Sequence, residues 1–178
     1  MARAALRLPA LSGAPVHVRF LPQLTARGNR MESATGRGNP VHAGSFLRKR
    51  ELVLAHELLA HPRELARIFI HEVFHFVWIR AGNTRRAGFE GLLIGEMEHQ
   101  ARGELGWSAE LRKQNLEVED RRERTRRWRE YLCESFCDTA AWFLSRHREH
   151  EEFTLAPRFR RRRAEWFQEY LRSGMLPY

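Results

Sequence analysis

The sequence predicts an α+β domain that is mainly helical, with a short sheet ahead of its first long helix. Three observations carry this expectation. Residues 63 to 156 contain no proline, which leaves a long stretch open to helices. Apolar residues recur at helical spacing in that stretch, above all near residues 67 to 78 and 128 to 143. The strand-like runs, residues 16 to 21 and 44 to 55, both come before it.

A chain of 178 residues is long enough for one domain with a real core and too short for two comfortable ones. Four of its seven prolines and four of its twelve glycines fall in residues 1 to 40. That segment reads as an irregular lead-in with at most the short strand at 16 to 21, and residues 41 to 178 as a single domain. Phe46 and Leu47, then Leu52-Val53-Leu54, predict a strand or hairpin over residues 44 to 55. A first helix is expected from about 63 to 80, with Gly82 as its C-terminal cap and Asn83-Thr84 opening the next. The second, near 85 to 102, carries Phe89, Leu92, Leu93, Ile94 and Met97. Gly103 and Gly106 break it, and Ser108 is placed to cap a short helix. A long helix from about 120 to 147 packs through Trp128, Leu132, Phe136, Thr139 and Phe143, with Glu123 and Arg127 as a supporting i, i+4 pair. Pro157 opens a last helix to about residue 172, which Gly174 ends, and the arginines of 158 to 163 are expected on its solvated side.

Hydrophobic content of 43%, five Trp and eleven Phe support a folded domain, while the mean hydropathy of -0.57 indicates a highly charged surface. The net charge of +9 permits attraction to nucleic acid, acidic proteins or anionic lipid. However, the basic residues are 29 Arg to 2 Lys and the acids 20 Glu to 2 Asp. Such one-sided choices read as compositional bias, so nucleic acid is not the expected partner. Cys133 and Cys137 make no disulfide framework and are expected as buried thiols in a reducing compartment. No 18-residue apolar run exists, and the first residues lack a sustained apolar core, so neither a membrane span nor a secretory signal is expected. The expected location is cytoplasmic.

The chemistry lies in one stretch. His71-Glu72-Val73-Phe74-His75 is an H-E-x-x-H run. Histidines at i and i+4 on a helix project from one face, where two imidazoles can converge on one Zn²⁺, and Glu72 is offset to reach a water beside the metal as its base. Chance alone would place such a run in roughly one chain of this composition in twenty. The flanks Ile68, Phe69, Ile70, Val73, Phe74, Phe76 and Val77 are all apolar, so the helix is buried nearly all round. Two histidines and a glutamate there are costly to desolvate unless something satisfies them, and a metal does so. A second histidine pair, His56 and His61, is five residues apart, off a common face, and receives no metal.

This stretch resembles the active-site helix of the zincin metallopeptidases. Trp78 and Ala81 exclude the metzincin continuation, so a third ligand must come from further along. Tyr131-Leu-Cys-Glu134-Ser-Phe-Cys-Asp138 resembles the second gluzincin motif, E-x-x-x-D. By that resemblance Glu134 binds zinc and Asp138 orients His71. Two rivals stand beside Glu134. Glu96 has a thermolysin-like spacing from His75 but Gln100 where a companion Asp belongs, and His99 would give a three-histidine, SprT-like site. The two motifs together most resemble compact intracellular gluzincins of the ImmA/IrrE type. The resemblance implies a small zincin-like metalloprotease domain whose substrate pairs along the strand beside the active-site helix.

The expected function is therefore a zinc-dependent endopeptidase acting on a protein or peptide. His71, His75 and Glu134 would hold Zn²⁺, Glu72 would act as base, and Tyr131 or His99 would stabilise the oxyanion. Cys137 is expected on another helix face. The alternative class is a non-catalytic zinc-stabilised or nucleic-acid-binding module, for which Glu72 would have no use.

Overall fold

A computed structural model describes residues 8–22, 24–27, 30–32, 39–145, 147, 149–172 and 174–178. The described chain is mainly helical with small sheets, an α+β fold. Five short strands lead in: β1 (Leu11–Ser12), β2 (His17–Leu21), β3 (Thr25–Arg27), β4 (Arg30–Glu32) and β5 (Asn39–Pro40). A hairpin of β6 (Ala43–Phe46) and β7 (Glu51–Ala55) and a 3₁₀ turn (His56–Ala60) follow. Six helices come next: α1 (Pro62–Arg80), α2 (Asn83–Glu98), α3 (Trp107–Gln114), α4 (Val118–Glu123), α5 (Arg126–Ser145) and α6 (Pro157–Arg172). The chain closes with β8 (Leu176–Pro177), which pairs with β1 in parallel.

The hairpin and the strand over 17 to 21 form one sheet in the order β2-β7-β6. β7 is central because Leu52, Val53, Leu54 and Ala55 are all buried, an unbroken apolar run that must be covered on both faces. It takes β2 in parallel, with Val18 opposite Leu52, and β6 antiparallel, with Ser45 opposite Leu52. β6 is thus an edge strand, and no strand pairs with its outer side among the described residues.

α1 is buried nearly all round, as its composition requires, and packs along α5. Between them and α6 lies an aromatic cluster centred on Phe136. Its ring stands 5.0 Å from Trp78, 5.1 Å from Phe167 and 5.8 Å from Phe74, centroid to centroid.

Three expectations about the helices need correction. Gly82 does not end α1 in a left-handed turn; its φ is -63° and it leads into α2. α2 stops at Glu98, and Gln100 turns the chain away with φ 53°. The helix expected over 120 to 147 is broken into α4 and α5 at Arg124, which has φ 49°. Asp120 is the cause. It completes a capping box with Glu117 at the start of α4, and its other oxygen takes the Thr125 hydroxyl just before α5. The break also separates Glu123 from Arg127, which pairs with Glu117 at 3.2 Å instead.

The arginine run differs most from expectation. Arg163 is not on the solvated side of α6 but wholly buried. Its guanidinium takes Glu96 through Nη2 at 2.6 Å and Nε at 3.0 Å, while Nη1 reaches Glu104 at 2.7 Å, Ser135 at 3.0 Å and Thr139 at 3.2 Å. Glu104, also wholly buried, further accepts the Tyr131 hydroxyl at 2.6 Å and pairs with Lys113 at 3.1 Å. Burial works against its charge, yet Arg163 and Lys113 outweigh that and hold its carboxyl down at about 2.

Two outcomes follow for stability. Arg163→Met leaves the buried Glu96 uncompensated and Glu104 with Lys113 as its remaining cation, and is expected to cost about 3–5 kcal/mol in urea unfolding. Glu104, ordinarily near 4.5 and here about 2, contributes about 3 kcal/mol that is present above pH 4.5 and lost as the pH falls towards 2. Unfolding free energy measured across that window should fall steeply in the wild type and less steeply in Arg163→Met.

Candidate metal centre

His71 and His75 project from one face of α1 onto α5. Their Nε2 atoms lie 3.2 Å apart, and Glu134 Oε2 approaches to 3.3 Å from His71 Nε2 and 3.9 Å from His75 Nε2. Three donor atoms thus form a small triangle. Zinc bound tetrahedrally to such ligands at about 2.0–2.1 Å sets its donors roughly 3.3–3.4 Å apart, so two edges already match and the third is about half an ångström long. The chemistry of the set, two imidazoles and a carboxylate, fits a zinc centre with one open position. The three side chains are 12–15% exposed, reachable from outside yet largely desolvated.

Each donor is held from behind. His71 Nδ1 is 2.7 Å from Asp138 Oδ1; the carboxylate can only accept, so Nδ1 carries a proton and Nε2 is the ring nitrogen that faces the triangle. Asp138 Oδ2 accepts the backbone N–H of Ala109 at 2.9 Å, in the first turn of α3. The aspartate therefore caps that helix from outside, the task expected of Ser108. Close approach demands Gly106: a β-carbon there would come within 2.3 Å of the Asp138 carboxyl carbon. Glu134 Oε1 pairs with Arg112 at 3.2 Å, which leaves Oε2 to face the histidines. His75 Nδ1 meets Cys133 Sγ at 3.4 Å.

Charge follows this geometry. Burial opposes a charged His71, but Asp138 and then Glu134 hold its pKa well above the usual histidine range. Burial likewise opposes ionisation of Glu134, and the two histidines with Arg112 bring it down to about 2. The Cys133 thiol is drawn down to about 6, first by its hydrogen bond with Cys137 and, against burial, by His75.

Glu72, one position past His71, is largely buried, and its Oε2 accepts the Ser45 hydroxyl at 2.5 Å. Ser45 belongs to the edge strand β6, so the strand and the glutamate are tied together. A cleft of about 340 Å³ opens here, bounded by residues 40 to 43, by Arg67, His71 and Glu72 of α1, and by Trp107 and Ser108 of α3.

No protein family, curated protein or solved structure matches this chain.

The fold brings His71, Glu72, His75, Glu134 and Asp138 together. It places the other candidates elsewhere. Glu96 is committed to Arg163 in the buried network, and Tyr131 gives its hydroxyl to Glu104. His99 is exposed beyond α2, with Nδ1 2.7 Å from the Gly95 carbonyl. Among the described residues, neither Glu96 nor His99 joins a cluster of three possible metal donors. Cys137 is not turned away, since its sulfur lies within 4.8 Å of Cys133 and a nitrogen of His75. Ser45 and Arg112, and the closeness of Gly106 to Asp138, act on the centre across tertiary contacts that leave no local pattern in the sequence. Cys133, expected as a buried thiol, is partly exposed and lies beside His75.

Gly106→Ala is expected to push α3 off Asp138 and cost about 1–3 kcal/mol, read as a lower urea midpoint with unchanged far-UV dichroism.

Proposed function

We propose that this protein is a zinc-dependent endopeptidase with a small zincin-like domain, closest in its motifs to the ImmA/IrrE type. The observation that carries the reading is the convergence of His71 Nε2, His75 Nε2 and Glu134 Oε2 beside the carboxylate of Glu72. A non-catalytic zinc module has no use for that fourth group, nor for a cleft leading to it.

Zinc held by His71, His75 and Glu134 would supply Lewis acidity, polarising the scissile carbonyl and acidifying a water beside it. The chain's own residues account for the rest. Glu72 takes the proton of the attacking water and passes it to the leaving amine. Ser45 holds one oxygen of that carboxylate and so directs the other to the proton. Asp138 keeps His71 in the tautomer that ligates, and Arg112 keeps Glu134 on one oxygen. The unpaired outer side of β6 suits an extended peptide, which would add to the sheet through its backbone and lie across the cleft.

The two thiols are free, and no described helix is long and apolar enough to cross a membrane. A protein or peptide substrate met in the cytoplasm fits these features.

Elemental analysis of protein purified without a metal-affinity tag tests the centre. One zinc per chain is expected in the wild type, Glu96→Ala and His99→Ala, with loss in Glu134→Ala. Glu72→Gln should retain zinc and lose at least a hundredfold in peptide hydrolysis. Zinc absent from the wild type after refolding with metal would overturn the reading. Strong, salt-steep nucleic-acid binding that survives Glu72→Gln, with no hydrolysis in any form, would favour the non-catalytic class.

A further inference from the structure

His75 presents a second nitrogen to sulfur. Where His71 gives Nδ1 to the Asp138 carboxylate, His75 Nδ1 lies 3.4 Å from Cys133 Sγ. A nitrogen of His75 and both sulfurs, Cys133 and Cys137, lie within 4.8 Å of one another. Neither thiol is in a disulfide; Cys137 is wholly buried, and Cys133 is partly exposed and gives access. The arrangement follows from α5, whose residues 133 and 137 stand one turn apart on the side that meets α1. A buried cysteine that only fills space needs no such company. Here two soft donors and an imidazole converge within the reach of one ion.

We propose that His75, Cys133 and Cys137 form a second metal site, suited to a thiophilic monovalent cation of the Cu(I) kind. Thiolates favour soft cations, and a set of three donors suits Cu(I), whereas structural zinc takes four. Binding releases the thiol protons and takes the lone pair of His75 Nδ1. That nitrogen cannot serve the sulfur site freely while Nε2 ligates a cation in the first centre, because the ring then keeps its proton on Nδ1. The two sites therefore compete for one imidazole. This inference goes beyond the peptidase reading and does not require that any peptide be cut.

The test is an anaerobic titration of metal-free protein with Cu(I) against a chromophoric Cu(I) chelator. One Cu(I) per chain is expected for the wild type, none for the Cys133→Ser/Cys137→Ser variant, and an affinity at least tenfold weaker for His75→Ala. Copper–thiolate absorption of the wild type alone reports ligation by sulfur, so the result does not hang on a variant that fails to fold. Prior loading with zinc should weaken Cu(I) binding at least tenfold; if the chain takes up no zinc, the peptidase reading fails while the titration of metal-free protein still decides this one. Failure to draw Cu(I) from the chelator would overturn the proposal. So would binding retained by the double serine variant, or equal affinity in wild type and His75→Ala.

Discussion

The carboxylate of Asp138 joins His71 on α1 to the first turn of α3. One oxygen accepts the Nδ1 proton of His71, and the other caps α3 through Ala109. α3 in turn brings Arg112 to Glu134 and lines the cleft with Trp107 and Ser108. The position of a helix and the orientation of an imidazole are thus set by one group, and Gly106 is the glycine that lets the helix come near enough. An asparagine would keep the shape but lose an acceptor, since only a carboxylate can receive from both sides.

Behind the centre lies a second buried charge system, and the two are kept apart. Arg163, Glu96, Glu104 and Tyr131 are joined by hydrogen bonds to one another and to the hydroxyls of Ser135 and Thr139, and Lys113 pairs with Glu104. α5 serves both systems from different sides: Tyr131, Ser135 and Thr139 face the arginine, while Glu134 and Asp138 face the histidines. This division explains why Glu96 and Tyr131 are unavailable to the centre. Their polar atoms are already satisfied in a place where leaving Arg163 alone would be costly.

Much of the helical frame was legible because it depends on local patterns: the proline-free stretch from 63 to 156, proline at the start of α6, the apolar surround of the H-E-x-x-H run, and the 3.6-residue stripe of α5. The grouping of His71, Glu72, His75, Glu134 and Asp138 was legible because two short motifs each fix a helix face. What was not legible depends on contacts between distant residues. The break at Arg124 is made by Asp120 capping in two directions, inside a run whose charges alone suggest a continuous helix. Arg163 looks like its neighbours in sequence and differs only in what α2 and the segment before α3 place opposite it. Cys137 was assigned to another face, but the α1–α5 packing brings its sulfur towards His75.

The donors of the centre come from helices far apart in the chain, yet their alignment belongs to the core. Phe74, next to His75, packs on Phe136, two residues past Glu134, and both belong to the aromatic cluster with Trp78 and Phe167. The triangle is therefore set by the same packing that forms the core, with the Asp138 hydrogen bond to His71 and the Arg112 ion pair to Glu134 at its edges. Small zinc modules fold only when their metal draws the ligands together. In this chain the three donors stand on helices joined by an aromatic core, so their spacing is a property of that packing.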